Sequence, residues 1–221
     1  MFDDISPKYD FLNHFLSFGI DHLWRKRLVA LLKGPRPARI LDVACGTGDL
    51  AIALTSLGTE KIIGIDISEK MLEIGRKKAA AKGLQDMISF HLADAEEIPF
   101  PDHSFNAVTV AFGVRNFGDL QQGLKEMGRV LAPGGNLMIL EFSHPEFFPV
   151  RQLYAAYSRF VIPVAGRIIS GNTAAYAYLP ESVAAFPSGE RFTGLLRETG
   201  FRNISRVRLS AGIASIYRSE K

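Results

Sequence analysis

Three carboxylates punctuate the first half of the chain at related places. Asp42 and Asp66 each close a short apolar run, and Asp94 follows a third. The first run leads into a glycine turn, "ILDVACGTGDL", in which Gly46, Gly48 and Ala51 satisfy the loose G-x-G-x-x-[G/A] fingerprint of a dinucleotide's pyrophosphate. The 20 residues from Gly46 to Asp66 also suit a dinucleotide's ribose. Yet Asp42 and Asp49 flank that turn, and so many carboxylates repel a phosphate unless a metal or an arginine intervenes. A cationic ligand with a sugar diol suits them better. S-adenosylmethionine has both features. Its ammonium can sit near Asp42 and the loop carbonyls, its ribose can donate two hydrogen bonds to Asp66, and its adenine can meet Asp94 and the backbone of Ala95. Gly46 and Gly48 allow the main chain to approach the methionine portion closely.

These residues need a scaffold that brings strand ends together. Apolar runs at residues 40–43, 62–66, 88–92, 108–112 and 137–142 read as strands. Helical patterns alternate with them. Ser68 is a plausible N-cap for a helix that stops near Gly83. Leu120, Leu124, Met127 and Leu131 mark a second helix, with Pro133-Gly134-Gly135 as its terminator. Short β-runs alternating with helices imply an α/β fold, a parallel sheet covered on both faces, and ligands in such sheets sit beyond the carboxyl ends of the strands. Before the sheet, residues 1–38 read as helical, with Leu23, Trp24, Leu28, Leu31 and Leu32 on one face and Gly34, Pro35 and Pro37 at the end. After residue 188 a helix runs to Thr199 and stops at Gly200, and "NISRVRL" and "AGIASIY" can pair as an antiparallel hairpin through Ser210-Ala211-Gly212.

Residues 143–187 break the rhythm. Four of the six tyrosines fall there, with Phe147, Phe148, Phe160 and Phe186. Packing of an extra helical pair is the plainer reading; a lid over an apolar substrate is the sharper one, and the one preferred here. The expected layout is one domain: a helical segment at 1–38, a cofactor-binding core at 39–142, an aromatic lid at 143–187, and a final helix and hairpin at 188–221.

The 221 residues, 47% of them hydrophobic, suit a compact core. An excess of 26 Lys+Arg over 23 Asp+Glu is too small to argue for nucleic acid. One cysteine, Cys45, excludes an internal disulfide and reads as a packing residue. No spaced His/Cys set suggests a metal. No signal peptide and no apolar run near ~18 residues is present, so a cytoplasmic protein is the expectation.

Longer motifs narrow the reading. "LDVACGTGDLA", "GIDISEKML", "ADAEEIPFPDHSFNAVTV" and "RVLAPGGNLMILEFS" resemble the successive motifs of class I S-adenosylmethionine-dependent methyltransferases. With "FDDISPKYDFLN", "GIDHLWRKRL", "FGVRNF" and "AGIASIYR", the chain resembles the ubiquinone/menaquinone biosynthesis C-methyltransferase family, of the UbiE/MenG type, from Phe2 to Arg218. That resemblance implies a Rossmann-like class I fold, a seven-stranded, mostly parallel sheet with a reversed last hairpin. It implies C-methylation of a prenylated quinol, with S-adenosylhomocysteine as the second product. It also places cofactor contacts at Thr47, Asp66 and the Asp94-Ala95 pair. Some members carry serine just before "FG-RN", where this chain has Ala111, so a contact through that hydroxyl is not carried over.

Methyl transfer to carbon needs a nucleophilic ring and a route for a proton. Arg115 and Asn116 follow the fourth strand and could face the methyl group; Arg115 could steady a quinolate, or instead pair with an acid such as Asp119. Tyr9 and Asp10, in "KYDFLN", could fold over the cofactor, or could simply pack and cap a helix. His144 is a further candidate base, with a solvated loop histidine as the plainer reading. Glu141, at the fifth strand's end, reads as structural. The substrate's tail implies transient contact with a membrane surface through the aromatic segment and Arg151, Arg159 and Arg167. A homodimer stays open. Demethylmenaquinol is the preferred substrate. The ubiquinone precursor, another small-molecule methyltransferase, a dinucleotide oxidoreductase and a non-catalytic binding module are the alternatives.

Overall fold

The computed structural model describes residue 17, residues 19–143, 145, 148–149, 151–152 and 182–221. The lid expected at 143–187 and the first half of the N-terminal segment therefore lie mainly outside the described residues.

Seven strands form one sheet: β1 (Arg39–Val43), β2 (Lys61–Asp66), β3 (Ile88–Leu92), β4 (Phe105–Ala111), β5 (Leu131–Phe142), β6 (Arg202–Leu209) and β7 (Ala214–Glu220). Their order is β3-β2-β1-β4-β5-β7-β6. The first five pair in parallel, and β7 runs antiparallel to both β5 and β6. The direction of the chain across the sheet reverses at β1 and β4. Brought side by side there, their carboxyl ends leave a crevice that the flanking helices do not fill.

Strand residues alternate between two apolar cores. Ile40, Ala107, Met138 and Leu140 face one side, with Trp24, Leu54 and Leu72. Leu41, Val43, Val108, Val110, Leu137 and Ile139 face the other, with Leu124, Met127, Phe192 and Leu196. Burial on both sides is why these strands read as nearly continuous apolar runs. The helices are α1 (Asp21–Leu32), α2 (Asp49–Leu54), α3 (Glu69–Ala81), α4 (Leu120–Val130) and α5 (Glu190–Glu198). Ser68 caps α3, its hydroxyl accepting from Met71 N at 3.3 Å, and Asp119 caps α4, accepting from Gln122 N at 3.0 Å.

Three expectations need correction. Leu23 does not share the buried face of α1: it is 51% exposed, while Trp24, Leu28 and Leu32 are buried. Helix α4 ends at Val130, and Leu131 opens β5 instead of closing the helix. Pro133 and the two glycines lie inside β5, where pairing with β4 slips between Phe105 and Ala107. A proline without an N–H is compatible with such an irregularity. Finally, β4 begins at Phe105 and stops at Ala111, so Phe112 belongs to the loop that follows.

Candidate active site

A cavity of about 310 Å³ opens at the carboxyl ends of the parallel strands. The loop after β1 supplies Ala44, Cys45, Gly46 and Thr47, and β1 itself supplies Asp42. Asp66 and Ile67 enter from the end of β2, and Ala93, Asp94, Ala95 and Glu96 follow β3. Beyond β4 come Ala111, Phe112, Gly113 and Asn116. Two of the non-glycine residues with positive φ, Ala44 at 49° and Phe112 at 61°, line this cavity. Such backbone is uncommon away from glycine and is concentrated where geometry serves a ligand.

Asp42 is 1% exposed. Its Oδ1 accepts from the Thr109 hydroxyl at 2.7 Å, whereas Oδ2 is buried without a hydrogen-bond partner among the described residues. Burial raises its pKa to about 7, against the weaker opposing pulls of Thr109, the Arg25 charge and the Ala51 amide. A buried, half-satisfied carboxylate on a cavity wall is stabilised by an incoming cation.

Asp66 is anchored at both oxygens. Oδ2 accepts from Gly46 N at 2.8 Å and Oδ1 from Ser68 N at 2.9 Å. These bonds orient the carboxylate on the cavity wall, where a carboxylate's several acceptor positions suit a diol. Asp94 Oδ1 accepts from Glu96 N at 2.9 Å, which folds its turn and presents Ala95, 7% exposed, to the cavity. Thr47 is tied down by Lys78, whose Nζ donates to its hydroxyl at 2.7 Å and to Asp49 at 2.8 Å.

The two glycines of the turn act differently. Gly46, with φ 55°, lines the cavity, and a Cβ there would meet nothing within 4 Å. Gly48 is not among the cavity-lining residues. With φ 80°, its Cα faces the Phe90 ring, where a Cβ would come within 2.6 Å. Close approach is required at Gly48, but to a core phenylalanine.

Arg115 sits in a short 3-10 turn, Val114–Asn116. Its Nη1 donates to Glu141 Oε1 at 2.8 Å and to the Phe112 carbonyl at 2.6 Å, and the guanidinium lies 5.5 Å from the Phe142 ring centre. The partner is thus Glu141, not Asp119, which caps α4. Arg115 is not among the residues lining the cavity, whereas its neighbour Asn116 is. Tyr9, Asp10 and His144 lie outside the described residues. Arg25, Thr109 and Lys78 were not singled out from the sequence. Arg25 lies in "GIDHLWRKRL", one helical turn after Asp21, and that i,i+4 pairing was the available signal.

The profile described as the ubiE/COQ5 methyltransferase family matches residues 1–221. The chain is 48% identical, over 222 residues, to the demethylmenaquinone methyltransferase of Bacteroides fragilis, covering 100% of this chain and 91% of that protein. It is 48% identical to the ubiquinone/menaquinone biosynthesis C-methyltransferase UbiE of Geotalea daltonii, covering 100% and 94%. Among solved structures, a S-adenosylmethionine-dependent methyltransferase of Thermotoga maritima, described as a possible histamine N-methyltransferase, aligns over 100% of both chains with a TM-score of 0.70 and 22% identity. That likeness concerns the fold alone.

Proposed function

Because the chain belongs to the ubiE/COQ5 methyltransferase family, we propose that it methylates a ring carbon of a prenylated quinol, with demethylmenaquinol as its substrate and S-adenosylmethionine as methyl donor. The observation that carries the cofactor assignment is the convergence of Asp42, Asp66 and Asp94 on one cavity. The similar proteins of Bacteroides fragilis and Geotalea daltonii support the quinol.

Bound S-adenosylmethionine supplies a methyl group already activated on a sulfonium. The chain's own residues bind and orient. Asp66, pre-set by the amides of Gly46 and Ser68, would accept from the ribose hydroxyls. Asp94 and the backbone of Ala95 would hold the adenine. Thr47 and Gly46 would hold the amino-acid portion, and Asp42, through its buried Oδ2, would accept from its ammonium. Asn116, which lines the cavity, would hold a quinol oxygen. The buried Arg115–Glu141 pair fixes the turn that carries Asn116 and Phe112, which makes Arg115 a positioning residue. His144 is the candidate for taking the quinol proton, and Tyr9 and Asp10 are the candidates for folding over the cofactor.

The prenyl tail places the reaction at a membrane surface. No helix among the described residues is long and apolar enough to cross a membrane. Phe148 is 81% exposed, three residues before Arg151, and that pairing of an apolar side chain with a cation favours reversible interfacial contact. The function is tested by incubating the protein with radiolabelled S-adenosylmethionine and, separately, reduced demethylmenaquinone and the demethylated ubiquinone precursor. Label should enter the lipid fraction with the first; transfer to neither contradicts the proposal.

A further inference from the structure

The acids of the cavity account for a cation, a diol and a base, but an amino-acid head group also carries a carboxylate. Asp42, Asp49, Asp66, Asp94 and Glu96 all line the wall. Among the described lining residues one side chain is cationic, Arg25. It comes from α1, outside the sheet, and lines the same cavity as Asp42, whose carboxyl feels its charge.

Arg25 is held as a recognition group would be. It is 9% exposed, and Asp21, one turn earlier and fully buried, pairs with its Nη1. The Ser17 hydroxyl donates to Asp21 at 2.8 Å and steadies that acid. The guanidinium lies 5.6 Å from the ring centre of Phe112, itself a cavity residue. Beside it Trp24 packs against Phe112 and Phe142, and its indole N–H donates to Ser210 at 2.9 Å, which locks α1 onto the hairpin. A guanidinium offers five N–H donors in a rigid fork that matches a carboxylate, and the contact to Asp21 engages its Nη1 end.

We infer that Arg25 recognises the carboxylate of the cofactor's amino-acid portion, so that Arg25 and Asp42 together read a zwitterion. The inference rests on the S-adenosylmethionine reading above. It explains why a helix preceding the sheet is anchored so firmly beside the cavity: α1 supplies the cationic side chain that the strand ends do not.

The test is calorimetric titration with two ligands. One is S-adenosylhomocysteine; the other is its decarboxylated analogue, which keeps the adenosine and the ammonium. The parent protein should prefer the first by roughly 10- to 100-fold, the range of a charge-assisted contact. In Arg25→Met that preference should collapse to about threefold or less, while any effect transmitted through Asp42 changes both ligands alike. Arg25→Lys should restore part of it. Because Arg25→Met removes a cation from beside a buried acid, Asp21→Asn combined with Arg25→Met provides a second variant in which both charges are gone. A folded variant that keeps the parent's preference, or a parent that binds both ligands equally, overturns the role of Arg25 and leaves the cofactor reading standing. A parent that binds neither contradicts both.

Discussion

Arg115 Nη1 lies 2.8 Å from Glu141 Oε1, with side chains 2% and 0% exposed. The pair joins the loop after β4 to the end of β5, next to the cavity but behind its wall. Burial raises the pKa of Glu141, and the Arg115 charge opposes that rise.

Breaking such a pair from one side leaves a buried charge and costs about 3–5 kcal/mol. Arg115→Ala should therefore lower the melting temperature as well as turnover, while cofactor affinity in the remaining folded protein stays near that of the parent. Glu141→Gln should lower turnover through the same turn. Unfolding and kinetics of both single variants and the double variant check this. Additive losses would show that the two residues do not act together.

Asp66 answers to two demands. Its oxygens hold the amides of Gly46 and Ser68, and the same carboxylate, on the cavity wall, is assigned to ribose. Asp66→Ala should weaken cofactor binding by roughly 10- to 100-fold, the equivalent of about 1.5–3 kcal/mol. It should also lower stability, because the glycine turn loses its anchor. Asp66→Asn should do less harm to both, since its amide oxygen still accepts. Calorimetric titration and thermal melting together check it; unchanged affinity in a folded alanine variant would remove the ribose assignment.

Asp42 gives a pH dependence. Its folded pKa, about 7, lies above the ordinary 3.8. The stability it contributes is complete below about 4 and is lost as pH rises through 7. Ligand binding has the opposite sign, because a cation favours the carboxylate. Cofactor affinity should rise between about pH 6 and 7, with proton release detectable by calorimetry in buffers of different ionisation enthalpy. Asp42→Asn should remove that release.

Gly48→Ala should destabilise by about 1–3 kcal/mol, the range for overpacking, because its Cβ would lie 2.6 Å from Phe90 and its φ is 80°. Denaturant unfolding measures this, and a neutral result would mean that the Phe90 ring yields.

How much of this was legible depended on sequence distance. Asp42, Asp66 and Asp94 could be read because each follows its own apolar run, and a parallel sheet brings run ends together. Ser68 could be read as a cap from its place alone. Closeness in sequence offers Asp119 as an alternative partner for Arg115. The parallel register of β4 and β5, with Ala111 opposite Leu140, instead brings Glu141 alongside. Arg25 lines the cavity, and Lys78 holds Thr47 and Asp49, from helices whose packing against the sheet the i,i+4 spacing of Asp21 and Arg25 hints at but does not fix. Leu131 continued a helical spacing and stayed buried, but in a strand, since burial alone does not distinguish the two.

The methyl group is assigned to a carbon of the quinol ring. The most direct measurement uses S-adenosylmethionine with a deuterated methyl group, reduced demethylmenaquinone in detergent micelles, and mass and proton spectra of the recovered quinone. One deuterated methyl should appear on the vacant ring carbon, with S-adenosylhomocysteine formed in equal amount. Label on a quinol oxygen, or cofactor turnover without label on the ring, would contradict it.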